Sequence, residues 1–200
     1  MTDRDAFKDR ARGLEEEYFR RKEQELIAKM RERAEAEAAR QAIGEKTGVA
    51  DAQLLQDLQE LGYTADTIAL LHVVPLLQMA WAEGHVSMRE RDLIVEAARA
   101  RGIESGSPAD QQLAGWLATR PSDELFSTTL RAIGAMLESR PAEEREASRK
   151  DLVSYLTSIA SASGGVLGWG AVSDTERAVL ARITAELEQA HPSSGILPKS

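Results

Sequence analysis

Apolar residues recur every three or four positions along most of this chain, and short stretches rich in Gly, Pro, Ser or Asp separate the periodic runs. That spacing lines one face of a helix, so the chain reads as a succession of amphipathic helices. Residues 3 to about 43 contain no Gly or Pro except Gly13, and they alternate charged residues with Phe7, Ala11, Leu14, Tyr18, Phe19, Leu26, Met30 and Ala34. The first four of these apolar positions follow a 4-3-4 rhythm. The seam then slips by one residue, a shift that a coiled coil absorbs as a stutter or an end. Glu16–Arg20 and Glu25–Lys29 are spaced i, i+4 with the acid first, the favourable order on a helix. The pattern predicts one long exposed helix with a narrow apolar stripe, and Gly44 and Gly48 mark its boundary.

From Asp51, the positions Leu54, Leu55, Leu58 and Leu61 predict a short helix stopped at Gly62. Asp66 is placed to cap a longer helix carrying Leu70, Leu71, Val74, Leu77 and Met79 to Trp81. This segment is apolar nearly all round, which marks it as the central core helix. Pro75 within it removes a backbone bond and predicts a kink. A helix with Leu93, Ile94, Ala97 and Ala98 facing inward ends at Gly102, and another spans about Pro108 to Ala118. Ser122-Asp123-Glu124 opens the stretch Leu125, Phe126, Leu130, Ile133, Met136 and Leu137. Pro141 and the acidic start Ala142-Glu143-Glu144 suit the positive end of a helix dipole. That helix carries Leu152, Val153, Leu156, Ile159 and Ala160 inward and stops at Gly164-Gly165. The last helix has Val179, Leu180, Ile183 and Leu187 on its apolar face, and the Pro/Ser-rich tail from His191 is expected to be disordered.

One hexapeptide pattern occurs twice. Val86-Ser87-Met88-Arg89-Glu90-Arg91 and Val172-Ser173-Asp174-Thr175-Glu176-Arg177 both read V-S-x-x-E-R, and a glycine (Gly84, Gly170) precedes each valine by two residues. Ser followed three residues later by Glu is a capping box, in which the serine oxygen accepts a first-turn N–H and the Glu side chain reaches back. Each copy opens a helix with paired apolar positions, Leu93-Ile94 and Val179-Leu180. The expected fold is therefore all-α: a helical bundle of two related halves plus a long N-terminal helix. The expected division is a charged helical arm over 1–46, a helical domain over 47–190 and a tail over 191–200.

Composition sharpens this picture. Of 200 residues, 42% are hydrophobic but only 4% aromatic, so the core should be aliphatic. There is no cysteine, which excludes disulfides, thiolate metal sites and cysteine nucleophiles. The chain is charged from its third residue, so no signal peptide is expected. The longest apolar stretch, Ala69 to Ala82, is interrupted by His72, Pro75 and Gln78 and falls short of the roughly 20 residues that span a bilayer. A cytoplasmic protein without membrane insertion is expected. Net charge is −8, yet residues 1–46 hold 12 basic and 12 acidic residues, so the acidic excess belongs to the remainder. An acidic body argues against nucleic-acid binding, which needs clustered Lys and Arg, and permits a cation or a basic partner.

Ala80-Trp81-Ala82-Glu83-Gly84-His85-Val86-Ser87-x-x-Glu90 resembles the signature of the TerB-like (tellurite-resistance) helical domains, A-x-A-D-G-x-[VI]-S-x-x-E. Ser163 to Gly168 and Val172-Ser173-Asp174-x-Glu176 resemble that family's second half, so the resemblance covers roughly Ala65 to Ala190. It implies an all-helical fold of two related halves, bacterial and cytoplasmic, linked to stress responses or used as an interaction module. It also implies acidic residues near the two turns as cation ligands. Glu83 stands where the pattern has Asp, and Trp169 holds the corresponding place in the second copy.

Glu83, Glu90, Asp174 and Glu176 would form a divalent-cation site if the two turns pack side by side, since hard cations take several carboxylate oxygens. Against this, Glu90 and Glu176 also serve as capping-box acids. His72, on the core helix, reads as a buried histidine, and His85 sits in the turn beside Glu83. No G-x-S-x-G or S-x-x-K arrangement supports a nucleophile, and the run Gly164 to Gly170 lacks the G-K-[ST] of a phosphate loop. The chain is therefore expected to be non-enzymatic and to need no cofactor, with a divalent cation as the alternative. Its expected role is protein interaction or scaffolding, by self-association or contact with another protein through Phe7, Leu14, Tyr18 and Phe19 of the N-terminal helix. Trp169 is either a lid over the core or a further contact anchor.

Overall fold

The computed structural model describes residues 3–162 and 174–189. Among these residues every regular element is a helix, with no strand. The α-helices are α1 (Asp3–Thr47), α2 (Ala52–Glu60), α3 (Val74–Ala80), α4 (Met88–Ala100), α5 (Pro108–Ala118), α6 (Asp123–Glu138), α7 (Ala142–Ala162) and α8 (Asp174–Gln189). Two 3₁₀ segments, Ile68–His72 and Trp81–Glu83, flank α3. The all-α class read from the periodicity is thus the class the chain adopts. No helix among the described residues is long and apolar enough to cross a membrane.

The chain divides into two compact units between Gln41 and Ala42, earlier than the expected boundary after Lys46. In the first unit every side chain from Glu17 to Glu35 is exposed. Tyr18 and Phe19 meet edge to face at 5.9 Å, and the Lys22 ammonium lies 5.9 Å from the Tyr18 ring centroid. Lys22 Nζ also pairs with Glu25 at 3.1 Å, so Glu25 takes a partner on the preceding turn in place of the expected Lys29.

The second unit begins inside α1. Ile43 is fully buried, Thr47 is buried, and the Thr47 hydroxyl donates to the Ile43 carbonyl at 2.9 Å. Gly44 is therefore no boundary; it lies within the helix, where a Cβ would meet Leu55 Cδ1 at 3.2 Å and the Val49 carbonyl at 3.3 Å. The helix stops at Gly48, whose φ of +72° lies in the left-handed region that glycine adopts without strain. Asp51 then caps α2, accepting from the Gln53 and Leu54 amides at 2.9 and 3.1 Å.

All seven residues of α3 are buried, and α3 packs against α4, α6, α7 and α8. The expected single kinked helix from Asp66 to Trp81 is corrected here. The chain first makes the 3₁₀ segment Ile68–His72 and then starts α3, with Pro75 in its first turn. A first-turn proline lacks an N–H that has no intrahelical partner there, so nothing is lost and no kink is needed. Asp66 caps nothing; the Thr67 hydroxyl instead accepts from the Thr64 amide at 2.9 Å.

Polar bonds tie α6 to the segment around α2. The buried Tyr63 and Thr129 hydroxyls lie 2.9 Å apart, and Arg131 Nη2 meets Asp57 Oδ2 at 2.7 Å. A bond from Gln53, and then Arg131, hold the Asp57 carboxyl below the usual range. The expected helix stop at Gly164-Gly165, the second Val-Ser pair and the tail from His191 lie outside the described residues.

Gln78 is the polar exception in α3. It is 5% exposed, and its Oε1 has no hydrogen-bond partner among the described residues. An unpaired buried acceptor costs about 1–3 kcal/mol. Gln78→Met keeps the volume and removes that acceptor, so it is expected to raise unfolding stability by about 1 kcal/mol in urea titrations. A loss of stability would mean that the amide is satisfied.

Candidate functional site

The first V-S-x-x-E-R copy folds as a complete capping box. Ser87 N donates to Glu90 Oε2 at 2.7 Å, and Glu90 N donates to Ser87 Oγ at 3.3 Å. Glu90 is buried, at 4% exposure, which concentrates its carboxylate on the helix start. Gly84, with φ +83°, ends the Trp81–Glu83 turn that leads into this box.

Two further residues of the same segment reach α5. The Trp81 indole N–H donates to the Trp116 carbonyl at 3.0 Å, and Arg91 Nη2 donates to the Leu117 carbonyl at 3.0 Å. Both acceptors belong to the last turn of α5, where helix carbonyls have no intrahelical partner. Trp81, Ser87, Glu90 and Arg91 thus form one structural device: two residues start α4, and two hold the end of α5. The sequence pattern disclosed the first pair only, because the α5 partners lie 35 and 26 residues further along the chain.

The other acidic residues of the expected cation site are placed as follows. Glu83 is exposed in the turn. Asp174 opens α8 with its side chain 97% exposed and Oδ1 2.9 Å from Arg177 Nη2. The Glu176 side chain lies outside the described residues. α8 packs on the Trp81–Glu83 segment, yet no group of three or more His, Asp or Glu side chains suited to a metal ion occurs among the described residues. Of the expected contact residues, Tyr18 is 49% and Phe19 67% exposed on α1. The side chains of Phe7 and Leu14, and all of Trp169, lie outside the described residues.

One concave site was not legible in the sequence. A cavity of about 200 Å³ carries His72, Arg101, Arg140, Ser148 and Asp151 on its wall. Ile133, Met136, Leu137 and Leu152 supply its apolar side. Arg101 occupies the C-cap of α4, Arg140 follows α6, and Ser148 and Asp151 come from α7. Arg140 Nη1 donates to Ser148 Oγ at 3.3 Å. Cations near helix C-termini are ordinary in a sequence, so nothing marks these two until α4, α6 and α7 come together. His72 is partly buried at this wall instead of lying deep in the core. Burial, and then the Arg101 and Arg140 guanidiniums, push its imidazole down to about 4.

Compared with family models, curated proteins and solved structures, the chain gives no match.

Two outcomes are expected. Ser87→Ala removes the α4 cap and should lower stability by about 1 kcal/mol in urea unfolding, whereas Ser173→Ala tests the second copy by the same measurement. The second concerns His72. Its folded value is depressed, so its contribution is fully present above pH 6.5 and is lost as pH falls from 6.5 to about 4. One unit is worth about 1.4 kcal/mol, so the loss is on the order of 3 kcal/mol over that window. The lowered carboxyls of Asp57, Asp110 and Asp123 lose their contributions only below the ordinary carboxylate range. Denaturation of wild type and His72→Gln at pH 7 and pH 4.5 should therefore show the variant losing less stability. Equal losses would refute this assignment.

Proposed function

We propose that this chain is a non-enzymatic interaction module of the TerB-like class that self-associates through α1. The observation that carries the reading is the stripe of Phe19, Leu26 and Met30, which are 67%, 59% and 62% exposed. Spacings of seven and four residues place all three on one face of the helix. Full burial of such side chains contributes about 1.5–3 kcal/mol each, so covering the stripe is strongly favourable. Charge selects the occupant. Residues 1–46 carry 12 basic and 12 acidic residues in mixed order, so a second copy meets the helix without net repulsion. Interleaved charges beside an apolar stripe are the pattern by which paired helices align.

The resemblance of Ala80 to Glu90 to the TerB-like signature supports a bacterial stress-response setting for this module. A structural role for the turn residues is in keeping with contact rather than catalysis, since Glu90 and Arg91 are already committed to helix ends.

The test is sedimentation equilibrium of the full chain at tens of micromolar. A dimer is expected for wild type, and Phe19→Glu with Leu26→Glu should sediment as a monomer. The thermal transition of the second unit should be unchanged in that variant. A monomeric wild type, or a variant that dimerises as well as wild type, would overturn the reading.

A further inference from the structure

The cavity beside His72 is a second feature, independent of α1. We infer that it binds a small organic monoanion, a carboxylate carried on a compact apolar group. Three observations on its wall lead there. The cavity measures about 200 Å³, above the roughly 150 Å³ that accommodates benzene, so a ligand of that body size fits. Ile133, Leu137 and Leu152 give one side of it an apolar surface that such a body would cover. Arg101 and Arg140 supply two guanidiniums, groups whose planar forks match a carboxylate.

The remaining polar groups set the charge of the ligand. Among the described residues of the wall, Asp151 is the one carboxylate beside two arginines, an excess of one positive charge that suits a monoanion. A dianion such as phosphate would gain the same arginines but meet the Asp151 carboxylate with more charge. His72 is neutral near pH 7 and offers a hydrogen bond without adding a cation. Arg140 is exposed, and its bond to Ser148 at 3.3 Å restrains its side chain at the cavity. Preorganisation of this kind lowers the ordering cost of binding. Convergent polar groups over an apolar floor are the usual make-up of a small-molecule site.

The probes are benzoate, its neutral analogue benzamide and inorganic phosphate, each titrated into the full chain by calorimetry at pH 7. Benzoate should bind and raise the melting temperature. Benzamide and phosphate should each bind at least about tenfold more weakly, the first for want of charge and the second for want of an apolar body. Arg140→Gln should weaken benzoate by about tenfold or more, because a charge-assisted bond is lost. Arg89→Gln, an exposed change on α4 away from the cavity wall, should leave binding unchanged. Absence of benzoate binding would overturn the inference. So would benzamide or phosphate binding as tightly as benzoate, or equal affinity in Arg140→Gln. Because Arg140 is exposed, the variant is expected to fold, and an unchanged circular dichroism spectrum separates lost binding from lost structure.

Discussion

Enclosure of α3 is the constraint on which the body of this protein depends. Seven consecutive residues, Val74 to Ala80, are buried on every side. A helix with no solvent-facing stripe cannot rest on one neighbour; it needs apolar faces all round it. α4, α6, α7 and α8 supply them through residues such as Ile94, Ile133, Leu156 and Ile183, each at most 4% exposed. α3 itself is short, seven residues from Val74 to Ala80. The 3₁₀ segments at both ends bound it, and the first of them stays in the core, with Leu70 and Leu71 fully buried. His72 sits at the end of the first 3₁₀ segment, and there the lining changes from aliphatic to polar.

Local signals were legible wherever the physics is local. Ser87 and Glu90 satisfy each other across three residues, so the sequence pattern alone located the start of α4. The helix starts read at Asp51 and Ser122 hold as well, and the structure adds that each side chain caps its helix, α2 and α6. Pro75 and Gly44 were misread because each has two structural meanings. Proline interrupts a helix interior but suits a first turn, and the onset of α3 depends on a 3₁₀ segment that apolar periodicity does not distinguish. Gly44 looks like punctuation, yet its missing Cβ makes room for Leu55. The cavity was illegible for another reason. Its wall draws on the first 3₁₀ segment, the end of α4, α6, the residues after it and α7, so no window of sequence contains it.

Charge is organised on two length scales. The net −8 belongs to residues outside the balanced stretch 1–46, so anions at long range meet a repulsive field. Salt screens that field beyond about 8–10 Å at physiological ionic strength. Within that distance the described residues of the cavity wall present two arginines to one aspartate, the reverse of the overall sign. A local site of one sign inside a body of the other favours small ligands over extended anionic polymers, whose length keeps them in the repulsive field.

The hold of Trp81 and Arg91 on the end of α5 bears on the order of unfolding. Helix termini ordinarily fray first, because their last carbonyls can exchange partners with water. Here those carbonyls are occupied by side chains from a turn that itself starts α4. Releasing the α5 terminus therefore breaks the bonds that seat the turn, and loosening the turn exposes the terminus. The loop between the two helices is pinned as well, by Arg99 to Asp110 at 2.7 Å. Segment 81–118 is consequently closed on itself by bonds spanning 11 to 35 residues, the makings of a cooperative unit that opens as a whole. Such a unit can form early, before the more distant helices α7 and α8 arrive to complete the ring round α3.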